Sequence, residues 1–144
     1  MTELLEMLKR HEGSKKFAYR CTENKLTIGV GRNIDEDGGI GLSEDEIDYL
    51  LENDITRVIQ ELGAEFPWFS GLDEVRRDVM INICFNLGLP RLKGFKKALG
   101  AMENHDYITA ADEFLDSRWS EQVGDRAVEL CGMLKTGKYV YLQS

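Results

Sequence analysis

The chain has 144 residues, 42% of them apolar and 31% charged, which suits one soluble globular domain, or two lobes sharing a helix, and excludes disordered, collagen-like and disulfide-scaffold classes. Its net charge of −8 argues against a general nucleic-acid binder. Three cysteines, none in a C-x-x-C pair, cannot form a complete disulfide set.

The charge is uneven. Residues 1–33 carry seven basic and four acidic groups, residues 34–65 one basic and eleven acidic. Residues 66–97 are again basic by three charges, so two basic clusters flank an acidic block and can attract an anionic polymer locally. A solvated charged surface explains the same numbers.

In chain order, residues 3–11 read as an amphipathic helix. Thr2 is its N-cap, Leu4, Leu5 and Leu8 form its stripe, and Gly13 is its stop. Glu3 and Glu6 interrupt the apolar pattern, so this segment is neither a secretory signal nor a membrane anchor. Two short β runs follow, Phe17-Ala18-Tyr19 and residues 26–30, joined by the polar turn Thr22-Glu23-Asn24-Lys25. Glycines at 29 and 31 predict a close approach by another backbone or a ligand.

Asp35, Asp37 and Glu46 fall at positions 1, 3 and 12 of a calcium loop. Position 6, however, is Ile40 where glycine is required, and position 5 is Gly39, which has no side-chain ligand. Ser43 and Glu46 form a capping box for a helix running to Gly63, about 30 Å long at the standard rise. Phe66-Pro67-Trp68-Phe69 reads as a core cluster, Asp73 caps a helix over 74–87, and Gly88-Leu89-Pro90 breaks it. Three more helices are predicted over 95–103, 107–116 and 125–135, the last ended by Thr136-Gly137 before a tail with Tyr139 and Tyr141. The fold class is therefore α+β and mostly α: a small N-terminal β-hairpin lobe, a long helix, and an all-helical C-terminal lobe.

Residues 12–31 gather the groups able to do chemistry. Glu12 stands at a helix C-terminus, where the dipole disfavours the charged carboxyl and so suits a proton donor. Cys21 enters the turn, where a thiolate can serve as base or nucleophile. Thr27 lies in the second run, and its hydroxyl can hold a water. Taken one at a time, each has an ordinary reading: a solvated glutamate, an inert loop cysteine, a β-branched strand former. His11 is next to Glu12 on the helix but points about 100° away, so a Cys-His dyad is unsupported, and zinc-site spacing is absent. Cys84 and Cys131 sit in apolar runs and read as buried residues.

These residues resemble the phage-type lysozymes, the endolysins of the T4 kind. Glu12, eight residues, Cys21, five residues, Thr27 matches the family pattern Glu-x8-Asp/Cys-x5-Thr, and Thr27-Ile28-Gly29-Val30-Gly31 follows it. Further matching segments are Glu74-Val75-Arg76-Arg77, Phe85-Asn86-Leu87-Gly88, Gly94-Phe95, Ser117-Arg118-Trp119 and Arg126. The resemblance implies hydrolysis of the β-1,4 bond between N-acetylmuramic acid and N-acetylglucosamine in peptidoglycan, with Glu12 as general acid, Cys21 at the second catalytic position and Thr27 helping to hold the attacking water. It implies sugar contacts from Gly31, Asn33, Phe85, Glu113 and Arg126, the last also as partner of Glu12. The implied organisation is an N-lobe over about 12–60 and a C-lobe over about 61–144 that includes the N-terminal helix 1–11, with the substrate cleft at their junction. The chain departs from the T4-type protein at Arg32, which replaces a histidine, and at Glu113, which replaces an amide.

The resemblance further implies a monomer without metal or cofactor. It would accumulate in the host cytoplasm and be released to the wall by a holin, with no nucleic-acid or membrane partner. A lytic transglycosylase, which needs one glutamate and no second group, is the enzyme alternative; a non-catalytic peptidoglycan-binding relative is the other.

Overall fold

A computed structural model of the chain describes residues 1–140, so Tyr141 of the expected tail lies outside the described residues. The described chain divides into two compact units, Met1–Leu50 and a second from Leu51 onward, with the boundary inside one long helix.

The first unit opens with helix α1, Thr2–Glu12. Its start differs from expectation. Thr2 is the first helical residue, Met1 precedes it without a side-chain cap, and the Leu5 N–H bonds the Met1 carbonyl at 2.9 Å. Gly13, at φ 80°, ends the helix as expected, with its N–H on the Lys9 carbonyl. Three antiparallel strands follow in the order β1 (Lys15–Arg20), β2 (Leu26–Gly29) and β3 (Arg32–Asn33). The third strand was not expected, because two residues carry no periodicity. It exists because Gly29 and Gly31, at φ 68° and 67°, reverse the chain and set Thr27 opposite Asn33 and Ile28 opposite Arg32. The run over 26–30 is thus a short strand and a tight turn.

Helix α2, Glu44–Glu65, begins with the predicted capping box: Glu46 N–H on Ser43 Oγ at 3.2 Å and Ser43 N–H on Glu46 Oε1 at 2.8 Å. It passes through Gly63, where an end was predicted. A helical glycine costs about 1 kcal/mol, and full burial of the neighbouring Leu62 outweighs that.

The second unit is all α. A 3-10 turn, Phe69–Gly71, leads to α3 (Glu74–Leu87), α4 (Leu89–Leu92), α5 (Lys96–Glu103), α6 (Tyr107–Leu115), α7 (Arg118–Val123) and α8 (Asp125–Thr136). Asp73 caps α3 by accepting the Arg76 N–H, and Gly88 ends it. The short α4 and α7 are too brief for a helical period to show in sequence. Phe114 is fully buried between Phe95 and Trp119, with ring centroids at 5.3 and 6.2 Å. Of the aromatic cluster expected in the core, Phe69 is buried, whereas Phe66 and Trp68 stack on each other at 5.1 Å and stay partly exposed. The side chain of Arg76 reaches the α8 carbonyls of Leu134 and Lys135, at 2.7 and 3.3 Å, and lies 4.0 Å over the Tyr107 ring. A Cβ at Gly137 would stand 2.9 Å from that guanidinium, which is why glycine ends α8.

Candidate active site

In the first unit, Glu12 is the last residue of α1 and is exposed. Its carboxyl rests on the bare backbone of Gly31: a Cβ there would lie 2.8 Å from Glu12 Oε2 and 3.2 Å from Cδ. The close approach expected at the two glycines occurs at Gly31 alone, with nothing within 4 Å of a Cβ on Gly29, and it is made by a side chain of this chain where a backbone or ligand was expected. Gly31 supplies both a left-handed backbone and the space the acid occupies.

Cys21 and Thr27 meet through the intervening turn. Asn24, at φ 62°, lets the chain double back, with its N–H on the Cys21 carbonyl at 2.8 Å and the Cys21 N–H on the Lys25 carbonyl at 2.9 Å. Thr27, the one buried polar residue among those described, donates its hydroxyl to the same Lys25 carbonyl at 2.9 Å. The half-buried thiol of Cys21 is held below its ordinary value, first by the Lys25 N–H and then by that of Glu23, with a smaller contribution from the Thr27 hydroxyl. Backbone N–H groups that converge on a sulfur favour its thiolate. Arg20 and Arg32 are both engaged elsewhere: Arg20 Nη1 with the Asn24 carbonyl at 3.3 Å, Arg32 Nη1 with Glu46 Oε1 at 2.6 Å. Asn33 pairs with Thr27 in the sheet, and its side-chain oxygen accepts the Asp35 N–H at 3.0 Å.

The second unit holds the remaining predicted residues. Phe85 and Arg126 line one groove of about 360 Å³ together with Ile55, Asp78, Ile81 and Asn82. Arg126 places Nε and Nη2 on Asn82 Oδ1, at 3.0 and 2.6 Å. Phe85 is 44% exposed although Ile83 and Cys84 beside it are buried. Glu113 is apart from that groove and lines another with Phe95, Lys96, Lys97, Asp116 and Ser117.

Two contributors went unread in the sequence. Asn82 fixes the Arg126 guanidinium. Its signal was present as the spacing 78, 82, 85 on α3, which places Asp78, Asn82 and Phe85 on one helix face. Asp35 was weighed only as a calcium ligand, yet it binds the Leu26 N–H at 2.9 Å. The other two carboxylates of that reading are likewise engaged, Asp37 with Lys25 at 2.9 Å and Glu46 with Arg32. Among the described residues no group of three or more His, Cys, Asp or Glu could hold a metal ion, and no helix is long and apolar enough to cross a membrane.

A family model described as phage lysozyme matches residues 9–135. The chain is 27% identical to a probable T4-type lysozyme 2 of Dictyostelium discoideum, over 95% of this chain and 96% of that one. It is 26% identical to an endolysin of Acyrthosiphon pisum secondary endosymbiont phage 1, over 91% of this chain and 87% of that one. It is 25% identical to the pre-baseplate central spike protein Gp5 of Enterobacteria phage T4, over 93% of this chain but 28% of that longer protein.

Proposed function

The chain belongs to the phage lysozyme family, and on that premise we propose that this lysozyme-like, cell-wall lytic protein hydrolyses the β-1,4 bond between N-acetylmuramic acid and N-acetylglucosamine of peptidoglycan. One observation carries the reading. Cys21 and Thr27 are gathered on a single carbonyl, that of Lys25, at the family's spacing from Glu12.

The chemistry follows from the side chains. Glu12, protonated, gives its proton to the glycosidic oxygen as the C–O bond breaks. Positive charge develops at the anomeric carbon, and a water held beside Thr27 attacks it. The Cys21 thiolate takes the proton that this water loses. Glu12 is left ionised and Cys21 neutral, and exchange with solvent resets both. A water between the two groups makes the route inverting in type. Phe85 offers a ring face to a sugar and Arg126 offers hydrogen-bond donors in one groove, Glu113 offers a carboxylate in a separate one, and Gly31 and Asn33 are the proposed contacts of the first unit. In its biological setting, the protein acts on wall glycan as a monomer after a holin has opened its way from the host cytoplasm.

Mass spectrometry of digested muropeptides tests the reaction. Hydrolysis leaves reducing muramic ends, whereas 1,6-anhydro ends establish a lytic transglycosylase instead. Turbidity assays test the second catalytic position. Cys21→Ser is expected to lower clearing of a peptidoglycan suspension and Cys21→Asp to restore much of it. Clearing by Cys21→Ser at the wild-type rate removes the thiol from the mechanism.

A further inference from the structure

We propose that Asp35 is a positioning residue for Cys21 and Thr27, acting through the Lys25–Leu26 peptide plane. That plane has two ends. Its carbonyl accepts the Cys21 N–H and the Thr27 hydroxyl, both at 2.9 Å. Its N–H, that of Leu26, donates to Asp35 Oδ2 at 2.9 Å. A peptide unit is rigid and its C=O and N–H point in opposite directions. Fixing the N–H therefore fixes the direction of the carbonyl on which both candidate catalytic residues rest.

Asp35 is itself held on every side. Its second oxygen accepts the Asp37 N–H at 3.0 Å, and its own N–H donates to Asn33 Oδ1 at 3.0 Å. Arg20 Nη1 lies 3.6 Å from Oδ2 while it donates to the Asn24 carbonyl of the turn. The loop closes over these groups so tightly that a Cβ on Gly39 would overlap the Asp35 carbonyl oxygen. In the other direction, Lys25 Nζ reaches Asp37 Oδ2 at 2.9 Å. The turn bearing Cys21 is thus fastened to the 33–40 loop at four points: Leu26 N–H, the Leu26 carbonyl (which accepts the Ile34 N–H at 2.9 Å), Arg20 and Lys25. The first of these holds the peptide plane itself.

The inference rests on the muramidase reading only for its consequence in turnover. Its geometric part is read separately, by the pH dependence of Cys21 alkylation with iodoacetamide, followed site by site by mass spectrometry. Cys84 and Cys131 are buried and pushed up to about 11, so they react slowly in the folded protein. Glu23 acts on the thiol through its charge, and Arg20, Lys25, Asp35 and Asp37 are the charged groups that tie its turn to the 33–40 loop. Removing a carboxylate acts, by charge alone, to move the alkylation midpoint down. Loosening the N–H groups that face the sulfur moves it up. Asp35→Ala is expected to raise the midpoint and to lower kcat on peptidoglycan at least tenfold with KM unchanged. Asp35→Asn keeps one acceptor oxygen and should fall between Asp35→Ala and wild type. Glu36→Ala removes an exposed charge from the same loop without touching the Leu26 N–H or the Lys25 and Arg20 contacts, and should leave kcat unchanged. A midpoint in Asp35→Ala at or below the wild-type value overturns the proposal. Muropeptides with 1,6-anhydro ends would instead overturn the muramidase reading, and clearing by Cys21→Ser at the wild-type rate would remove the thiol from the mechanism; either result leaves a raised midpoint standing.

Discussion

The two units of this chain are held by different forces. From Leu51 onward the described structure is built on buried apolar side chains from seven helices, α2 to α8, with Phe114, Leu62, Met80, Ile83 and Leu92 almost wholly out of water. In residues 1–50, Thr27 is the only buried residue, and Leu4, Leu5, Leu8 and Phe17 remain exposed. There, order comes from directional contacts: the Arg32–Glu46 pair at 2.6 Å, the Lys25–Asp37 pair at 2.9 Å and the Asp35 clasp on Leu26. Apolar burial is strong but undirected, whereas hydrogen bonds are individually modest and fix angles. The candidate acid, thiol and hydroxyl all belong to the unit where angles are fixed.

That contrast can be broken from either side. The largest effect is expected from Glu12→Gln, which removes the only proton Glu12 can donate: clearing of peptidoglycan should fall by ~10²–10⁴-fold with an unchanged thermal midpoint. Equal clearing by variant and wild type ends the assignment. Phe114→Ala should do the converse, costing about 3–5 kcal/mol in urea unfolding through the cavity it leaves, while the surviving folded protein keeps its turnover number. Gly31→Ala tests both links at once. It should cost roughly 1 kcal/mol for the left-handed backbone and reduce clearing more than that loss explains, because the new Cβ meets the Glu12 carboxyl. Trp119→Phe deletes the 2.8 Å bond from Nε1 to Asn86 Oδ1 and shrinks a buried ring; it should cost about 1–3 kcal/mol, measured by the same unfolding curve, and leave clearing per folded molecule unchanged.

The smallest effect is a pH effect confined to the first unit. Arg32, and then the Ser43 N–H, hold the Glu46 carboxyl down to about 2 from an ordinary 4.5. A depressed folded-state value means that the stabilisation is complete above the ordinary value and disappears as pH falls from there towards 2. Acid titration followed by amide exchange should show the start of α2 opening over that window. Aromatic circular dichroism from the Phe114–Trp119 core should not change over the same range, and Glu46→Gln should abolish the transition at α2.

Much of this was legible from residue order, because it depends on neighbours in the chain. Helical spacing located α2, α3, α5, α6 and α8. The Ser43–Glu46 box and the Asp73 cap are contacts three residues apart, and Gly13, Gly88 and Gly137 mark the helix ends they were expected to mark. Glu12, Cys21 and Thr27 could be picked out as a set because their spacing is itself a sequence property. What the order of residues could not supply was direction. The two-residue β3, the stacking of Glu12 over Gly31, the single carbonyl shared by Cys21 and Thr27, and the Asn82 fork on Arg126 join atoms across space. Hydropathy and spacing say which face a residue lies on. Only the folded backbone sets where a carbonyl or a carboxyl points, and the proposed chemistry depends on that.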